Sequence, residues 1–406
     1  MILQSKDETM TYSTKKWYET DGARMEFDAT VLSCEKAGDG YDTILSETAF
    51  FPGGGGQERD EGTLDGVPVT ALAERDGAIL HRTPRPFPVG ARVHGKLDAL
   101  LRLRRMQAHS GEHVLSGLLH SLYGSENVGF RLGEGEAVTI DTSKHLTDAE
   151  LDRAEYEANL AVAKNLPVTV SFPDEKELAS LVYRSKKELS GRIRIVTVEG
   201  VDVCACCAPH VARTGEIGQI RILSRMTWKG GLRLTVLCGL AAYEDAKKKN
   251  ESVKRISALL SAKPEEVAEA AERMRDRLEE ETRKAGALAA EKREAALRRL
   301  REWEMSDGPV VLWEEELSRK DMTEYANELQ KKTRSLAVVL TREKGRIAYT
   351  AASGTLDMRK IAPRIGEVLS GSGGGSPSMI FGSADTTREK AEAYFRSFIP
   401  SETDKR

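Results

Sequence analysis

A chain of 406 residues is too long for one small core and points to two to four domains. With 61 basic and 64 acidic side chains its net charge is −3, so no overall field draws it onto nucleic acid and any such contact must come from local basic patches. The opening MILQSKDETM does not read as a signal peptide, no stretch approaches the ~18 apolar residues of a membrane span, and an odd count of five cysteines, three of them clustered, does not suit a disulfide framework, so the expectation is a cytoplasmic protein with reduced thiols and no membrane partner.

In chain order, residues 1–93 are β-rich. RMEFDATVLSCEKAGDGYDTILSETAF alternates apolar and polar residues and breaks at Gly38 to Gly40, which predicts a hairpin. FFPGGGGQERDEGTL follows, and Pro84, Pro86 and Pro88 close the region. The expectation is a β-barrel-like N-terminal domain. Residues 94–240 read as an α+β domain. It starts with a helix from about Asp98 to Tyr123, with Leu100, Leu103, Met106, Leu115, Leu118, Leu119 and Leu122 at helical spacing and Gly124 as its stop. A second helix starts at Thr147, with Glu150 completing a capping box. EAVTIDT, PVTVSF and GRIRIVTVEGVDV read as strands, and IGQIRILSRMTWKGGLRLTVLCG as a hairpin turning at Gly230-Gly231. Residues 241–305, rich in Ala, Glu, Lys and Arg, read as a helical or coiled-coil spacer in which a helix from Pro264 to Trp303 spans ~60 Å. Residues 306–406 return to an α/β pattern, with SGSGGGSP as a glycine loop. The whole is a multidomain α+β chain.

Chemistry concentrates in VCACCAPHVA, residues 203–212, and in AHSGEHVLSG on the first long helix. His109 and His113 are four apart and leave one helix face a turn from each other, so two neutral imidazoles can grip one ion. His120 lies ~10 Å further along the axis and cannot share an ion with His109. Cys206 and His210 are the first choice for the other half of a tetrahedral Zn²⁺ site, with Cys204 and Cys207 competing for the sulfur position. Asp202 either orients a ligating histidine or caps a turn. Arg102 and Arg105 share the helix stripe of His109 and His113 and suit a phosphate-bearing substrate.

These motifs carry a resemblance. HSGEH at 109–113, CCAPHVARTGEIG at 206–218, WKGGLRL at 228–234 and GFRLGEGEAVTIDT at 129–142 resemble the editing domain shared by alanyl-tRNA synthetase and the free-standing alanyl-tRNA editing proteins of the AlaX type. FFPGGGGQERDEG at 50–62 is similar to that family's glycine-rich motif, and GSGGGSP to the loop of the DHHA1 domain that closes the synthetase. The chain departs from the pattern at Cys207 and Ala208, where the family has glycines, and at Ser376, where it often has arginine. The resemblance implies the long free-standing form. It implies hydrolysis of the aminoacyl ester of mischarged tRNA(Ala), chiefly with serine and also with glycine, at a Zn²⁺ site of His109, His113, Cys206 and His210. It also implies that Gly55, Gly56 and Gln57 border the substrate and that tRNA is the partner rather than DNA; the sequence leaves the oligomeric state open, a homodimer through the C-terminal region being one option. The group that activates water is not implied. The alternatives are a tRNA- or synthetase-binding module in which zinc is only a clamp, and an editor of another seryl-mischarged tRNA such as tRNA(Thr).

Overall fold

The computed structural model describes residues 12–133, 137–185 and 191–405. The chain divides into two compact units, Met1–Ile256 and Ser257–Arg406.

The first unit begins with a seven-stranded antiparallel sheet. In spatial order its strands are Val67–Pro68, Gly62–Leu64, Arg92–Leu97, Glu26–Ala37, Gly40–Leu45, Ala78–Thr83 and Ala71–Arg75. The long strand Glu26–Ala37 pairs with Arg92–Leu97 through its first half and with Gly40–Leu45 through its second. Val67–Pro68 pairs with Gly62–Leu64 and Ala71–Arg75 with Ala78–Thr83, and between them the Val69 N–H donates to the Gly62 carbonyl at 2.9 Å and the Thr70 N–H to the Arg82 carbonyl at 2.8 Å, so the run 67–75 links the two ends of the sheet in the barrel-like manner expected. Phe27, Val31, Leu45, Phe50, Leu64 and Val93 fill its core.

Helix α1, Ala99–Tyr123, follows at once. Asp98 caps it by accepting from the Leu101 N–H at 2.9 Å, and Gly124 ends it in the left-handed region at φ 61°. It packs on a four-stranded sheet ordered Asn127–Leu132, Val138–Thr142, Gly231–Cys238 and Ile220–Trp228, together with α2, Asp148–Ala163. The capping box of Thr147 and Glu150 opens α2. Met106, Val114, Leu115 and Leu119 meet Val138, Ile140, Leu232, Leu234 and Val236 in one core. Leu100 and Leu122, on the expected apolar stripe, stay exposed at the two ends of the helix. The hairpin between Ile220–Trp228 and Gly231–Cys238 turns at Lys229-Gly230, both with positive φ, one residue before the expected position. Residues 134–136 of the 129–142 motif lie outside the described residues.

A three-stranded sheet of Val168–Ser171, Ile195–Val198 and Asp202–Ala205 completes the region, with α3, Glu175–Ser180, between its first two strands. The stretch expected as one strand, GRIRIVTVEGVDV, is thus two, folded at Glu199-Gly200. Helix α4, Gly239–Leu260, leads on.

In the second unit α5, Val267–Arg301, docks Ala296, Leu297 and Leu300 against Met322, Tyr325 and Leu329 of α6, Arg319–Gln330. A five-stranded sheet follows, ordered Val310–Trp313, Ala337–Glu343, Arg346–Ala352, Met379–Ala384 and Gly371–Gly375; only its first pair is parallel. Helices α7, Met358–Leu369, and α8, Arg388–Arg396, join the core built on Val338, Tyr349 and Ile380. The expected glycine loop is an edge strand. Its glycines make room for an aromatic ring: a Cβ on Gly373 would stand 2.3 Å from the Tyr349 hydroxyl. No helix among the described residues is long and apolar enough to cross a membrane.

Candidate metal centre

Two elements converge on one point. Helix α1 carries His109 and His113, and the turn after strand Asp202–Ala205 carries Cys206 and His210. One ligand atom from each of the four lies within 4.8 Å of all the others. The imidazole centroids are 5.4 Å apart for His109 and His113, 4.9 Å for His109 and His210, and 4.5 Å for His113 and His210.

Each ring is anchored through its Nδ1. His109 bonds Gln57 Oε1 at 2.9 Å, His113 bonds Asp202 Oδ2 at 3.0 Å, and His210 bonds Ser110 Oγ at 3.0 Å. Such outer partners fix ring orientation and leave Nε2 as the inward donor. The Nε2 atoms of His109 and His210 lie 3.5 and 3.4 Å from Cys206 Sγ. Burial opposes ionisation of Cys206, but the electrostatic influence of the adjoining His109 and His210 rings and hydrogen bonds from His109 and His113 outweigh it and hold the thiol well below its usual range. Burial, helped by the neighbouring His113 and His109 and opposed by Cys206, pushes His210 down, to about 3, so it stays a neutral donor. For His113 burial also works against the proton, yet hydrogen bonds to Asp202 and Cys206 raise it well above the ordinary value. A metal must displace that proton. Three imidazoles and a thiolate, closely spaced and individually oriented, are a donor set that fits Zn²⁺.

Geometry separates the three clustered cysteines. Cys206 joins the three histidines, whereas Cys204 groups with His113 and Asp202, and Cys207 is exposed. The Cys207 sulfur faces the glycine turn, 3.5 Å from where a Cβ on Gly55 would be. His120 stands apart in an exposed pair with Glu126.

That turn runs through Gly53, Gly54, Gly55 and Gly56, all with positive φ, and closes by reciprocal backbone bonds between Gly54 and Gln57 at 2.9 and 3.0 Å. Gly56 packs on Phe130, where a Cβ would come within 2.4 Å of the ring, and Phe130 lies 4.7 Å from the His109 ring. Gln57 is buried, and its Nε2 has no hydrogen-bond partner among the described residues.

The arginines differ from expectation. Arg102, 1% exposed, is paired with Asp60 and donates to the carbonyls of Gly22 at 2.9 Å and Ala49 at 2.5 Å. Asp60 also accepts from the Phe51 N–H at 2.7 Å. Arg105, 7% exposed, donates to the Arg59 carbonyl. Both guanidinium groups therefore clamp the glycine-rich segment onto α1 instead of facing a substrate phosphate. Helical spacing identifies a shared stripe, but it does not tell whether the stripe meets solvent or another segment.

Three neighbours gave no signal in the sequence. Ser110 orients His210. Glu112 is buried, accepts from Ser116 Oγ at 2.7 Å and from Asn127 Nδ2, and has an oxygen 3.9 Å from His113 Nε2. Arg184, eighteen positions before Asp202, forms a two-pronged pair with it. Only their partners in the folded chain reveal them.

Comparison with known proteins places these observations among relatives. Residues 193–257 match the family described as threonyl and alanyl tRNA synthetase second additional domain. The chain is 27% identical over 392 residues to the mouse alanyl-tRNA editing protein Aarsd1, covering 92% of this chain and 95% of that one. It is 34% identical over 356 residues to the alanine–tRNA ligase of Pyrococcus furiosus, covering 82% of this chain but 37% of the ligase. Among solved structures, the C-Ala domain of Aquifex aeolicus alanyl-tRNA synthetase aligns with 23% of this chain and 91% of its own, at 18% identity and a TM-score of 0.20.

Proposed function

From the premise that the chain is of the free-standing alanyl-tRNA editing type, with which it aligns over 92% of its length, we propose that it hydrolyses the aminoacyl ester of mischarged tRNA(Ala), chiefly Ser-tRNA(Ala) and also Gly-tRNA(Ala), at a Zn²⁺ centre. The observation that carries the reading is the convergence of His109, His113, Cys206 and His210 beside Gln57 and the glycine turn. Zn²⁺ held by those four residues supplies a Lewis acid beside the ester.

The rest of the chemistry falls to the chain itself. Gln57 holds His109 through Oε1 and keeps a buried N–H for an oxygen of the substrate. A serine hydroxyl satisfies that donor. An alanine methyl leaves it unpaired, at a cost of about 1–3 kcal/mol, whereas clearance of glycine, which also lacks the hydroxyl, rests on its smaller size. A synthetase pocket built for alanine rejects the added hydroxyl poorly, by only ~100-fold, so a second site that reads the hydroxyl supplies the missing discrimination. Gly55 and the exposed Cys207 sulfur stand next to each other at the glycine turn that carries Gln57 into place. Asp202 orients His113. Residues 1–93 bring the glycine turn, 94–240 the metal centre, and 241–305 and 306–406 a helical spacer and a terminal domain for tRNA.

Four protein donors form a closed shell, typical of structural zinc, and this favours a second reading in which the metal only clamps a tRNA-binding module. Deacylation assays separate the two. Zinc-loaded protein should release serine from Ser-tRNA(Ala) much faster than alanine from Ala-tRNA(Ala), and Ser-tRNA(Thr) in the same panel tests the tRNA. Serine release no faster than in buffer ends the proposal. A His109→Ala protein that folds normally and binds tRNA but has lost hydrolysis contradicts the clamp.

A further inference from the structure

His113 belongs to two clusters, each with ligand atoms within 4.8 Å of one another: the four-residue group above, and a second group of His113, Asp202 and Cys204. An imidazole, a carboxylate and a thiol are also sound zinc donors. The two sites compete for one ring, so something must decide between them.

Arg184 sits on the rival site. Its Nε donates to Asp202 Oδ1 at 2.7 Å and its second nitrogen to Oδ2 at 2.9 Å, so both carboxylate oxygens are engaged. The side chains are 11% and 1% exposed. The backbone of Arg184 is fastened along the same strand: its N–H donates to the Val203 carbonyl at 2.8 Å, and its carbonyl accepts from the Ala205 N–H at 3.0 Å. A planar fork so held fixes the carboxylate plane. His113 Nδ1–H then donates to Asp202 Oδ2 at 3.0 Å, which leaves Nε2 for the other cluster. The guanidinium charge also stands against Asp202, where a second cation would bind, in a poorly screened interior.

We propose that Arg184 is a positioning residue that selects which of the two clusters holds the metal, by keeping Asp202 as the orienting partner of His113 and out of metal coordination. The inference rests on the zinc reading above. Without the fork, Asp202 and Cys204 compete as ligands and His113 loses its fixed orientation.

The test is titration of the full metal-free chain with Co²⁺, reading affinity and thiolate-to-cobalt absorption, followed by competition with Zn²⁺. Wild-type protein should bind one ion, and Cys204→Ser should leave it unchanged. In Arg184→Gln affinity should fall about 10–100-fold, and the absorption should gain a component that disappears in Arg184→Gln/Cys204→Ser. Arg184→Lys, which keeps the charge without the fork, should fall between, and it carries the test if the glutamine variant does not fold. Variants that bind as tightly as wild type, with spectra indifferent to Cys204→Ser, overturn the inference. A wild-type chain that binds no ion, or whose binding survives Cys206→Ser, defeats the zinc reading itself.

Discussion

Helices α1 and α5 are both long and both readable from periodicity, yet they use their polar residues in opposite ways. Within its 25 residues α1 buries Arg102, Arg105, Gln107, His109, Ser110, Glu112, His113 and Ser116. In its 35 residues α5 buries only Ala270, Ala296, Leu297 and Leu300. Most of its charges remain in water, several paired a turn apart, as Arg283 with Glu280 and Lys284 with Glu281, and only near its C-terminal end do they reach other segments, as Arg293 does Asp321. Exposed pairs of this kind contribute little. Buried polar groups must each find a partner, and the partners of α1 come from the glycine-rich segment, the cysteine turn and the strand Asp202–Ala205. A helix that buries polar side chains therefore organises the segments around it, and one that exposes them does not.

Removing one side of the deepest pair gives the largest effect. Arg102→Leu leaves Asp60 buried without its cation and should destabilise the first unit by about 3–5 kcal/mol, read by urea unfolding. A cost under about 1 kcal/mol would show that the clamp is not what joins the glycine-rich segment to α1.

Buried histidine without a metal cluster sharpens the contrast. His81, in the seven-stranded sheet, bonds Thr48 Oγ1 at 2.8 Å and the Thr43 carbonyl at 3.2 Å, and burial lowers its pKa from 6.5 to about 4. The unfolded chain therefore takes up a proton first as pH falls. Stability from this group is complete above 6.5 and declines between 6.5 and about 4, by at most about 3 kcal/mol. A His81→Gln protein should lose that part of the slope in unfolding midpoint against pH. An unchanged slope removes His81 as its source.

Two glycines test the packing of each helix. A Cβ on Gly117 of α1 would meet the Val201 carbonyl at 2.5 Å and Asp202 Cβ at 2.7 Å. Gly117→Ala should cost about 1–3 kcal/mol, and by moving Asp202 it should weaken zinc retention against a chelator. Gly286 of α5 has nothing within 4 Å of its Cβ position. Gly286→Ala should instead stabilise by about 1 kcal/mol, visible as a higher melting temperature of the second unit. A loss on that substitution would mean α5 is not the solvated helix described.

Much was legible because it depends on neighbours in sequence. The extent of α1, the capping box at Thr147, the hairpin at Gly38 and the spacing of His109 and His113 are local, set by helical and strand periods and by backbone preferences. The fate of Arg102 and Arg105 was not legible, because a stripe position says nothing of what covers it. Nor was the edge strand at Gly371–Gly375, since glycines that admit the Tyr349 ring read like those of a loop.

By itself, then, the order of residues settled which side chains with metal-binding chemistry exist and that two imidazoles leave α1 together. Only the folded chain decided that Cys206 rather than Cys204 or Cys207 meets them, that Gln57, Asp202 and Ser110 hold the three rings, and that Arg184 stands behind Asp202. The reason is distance: hydrogen bonds and ion pairs between segments eighteen to a hundred residues apart depend on where the sheets bring them, and no local period encodes that.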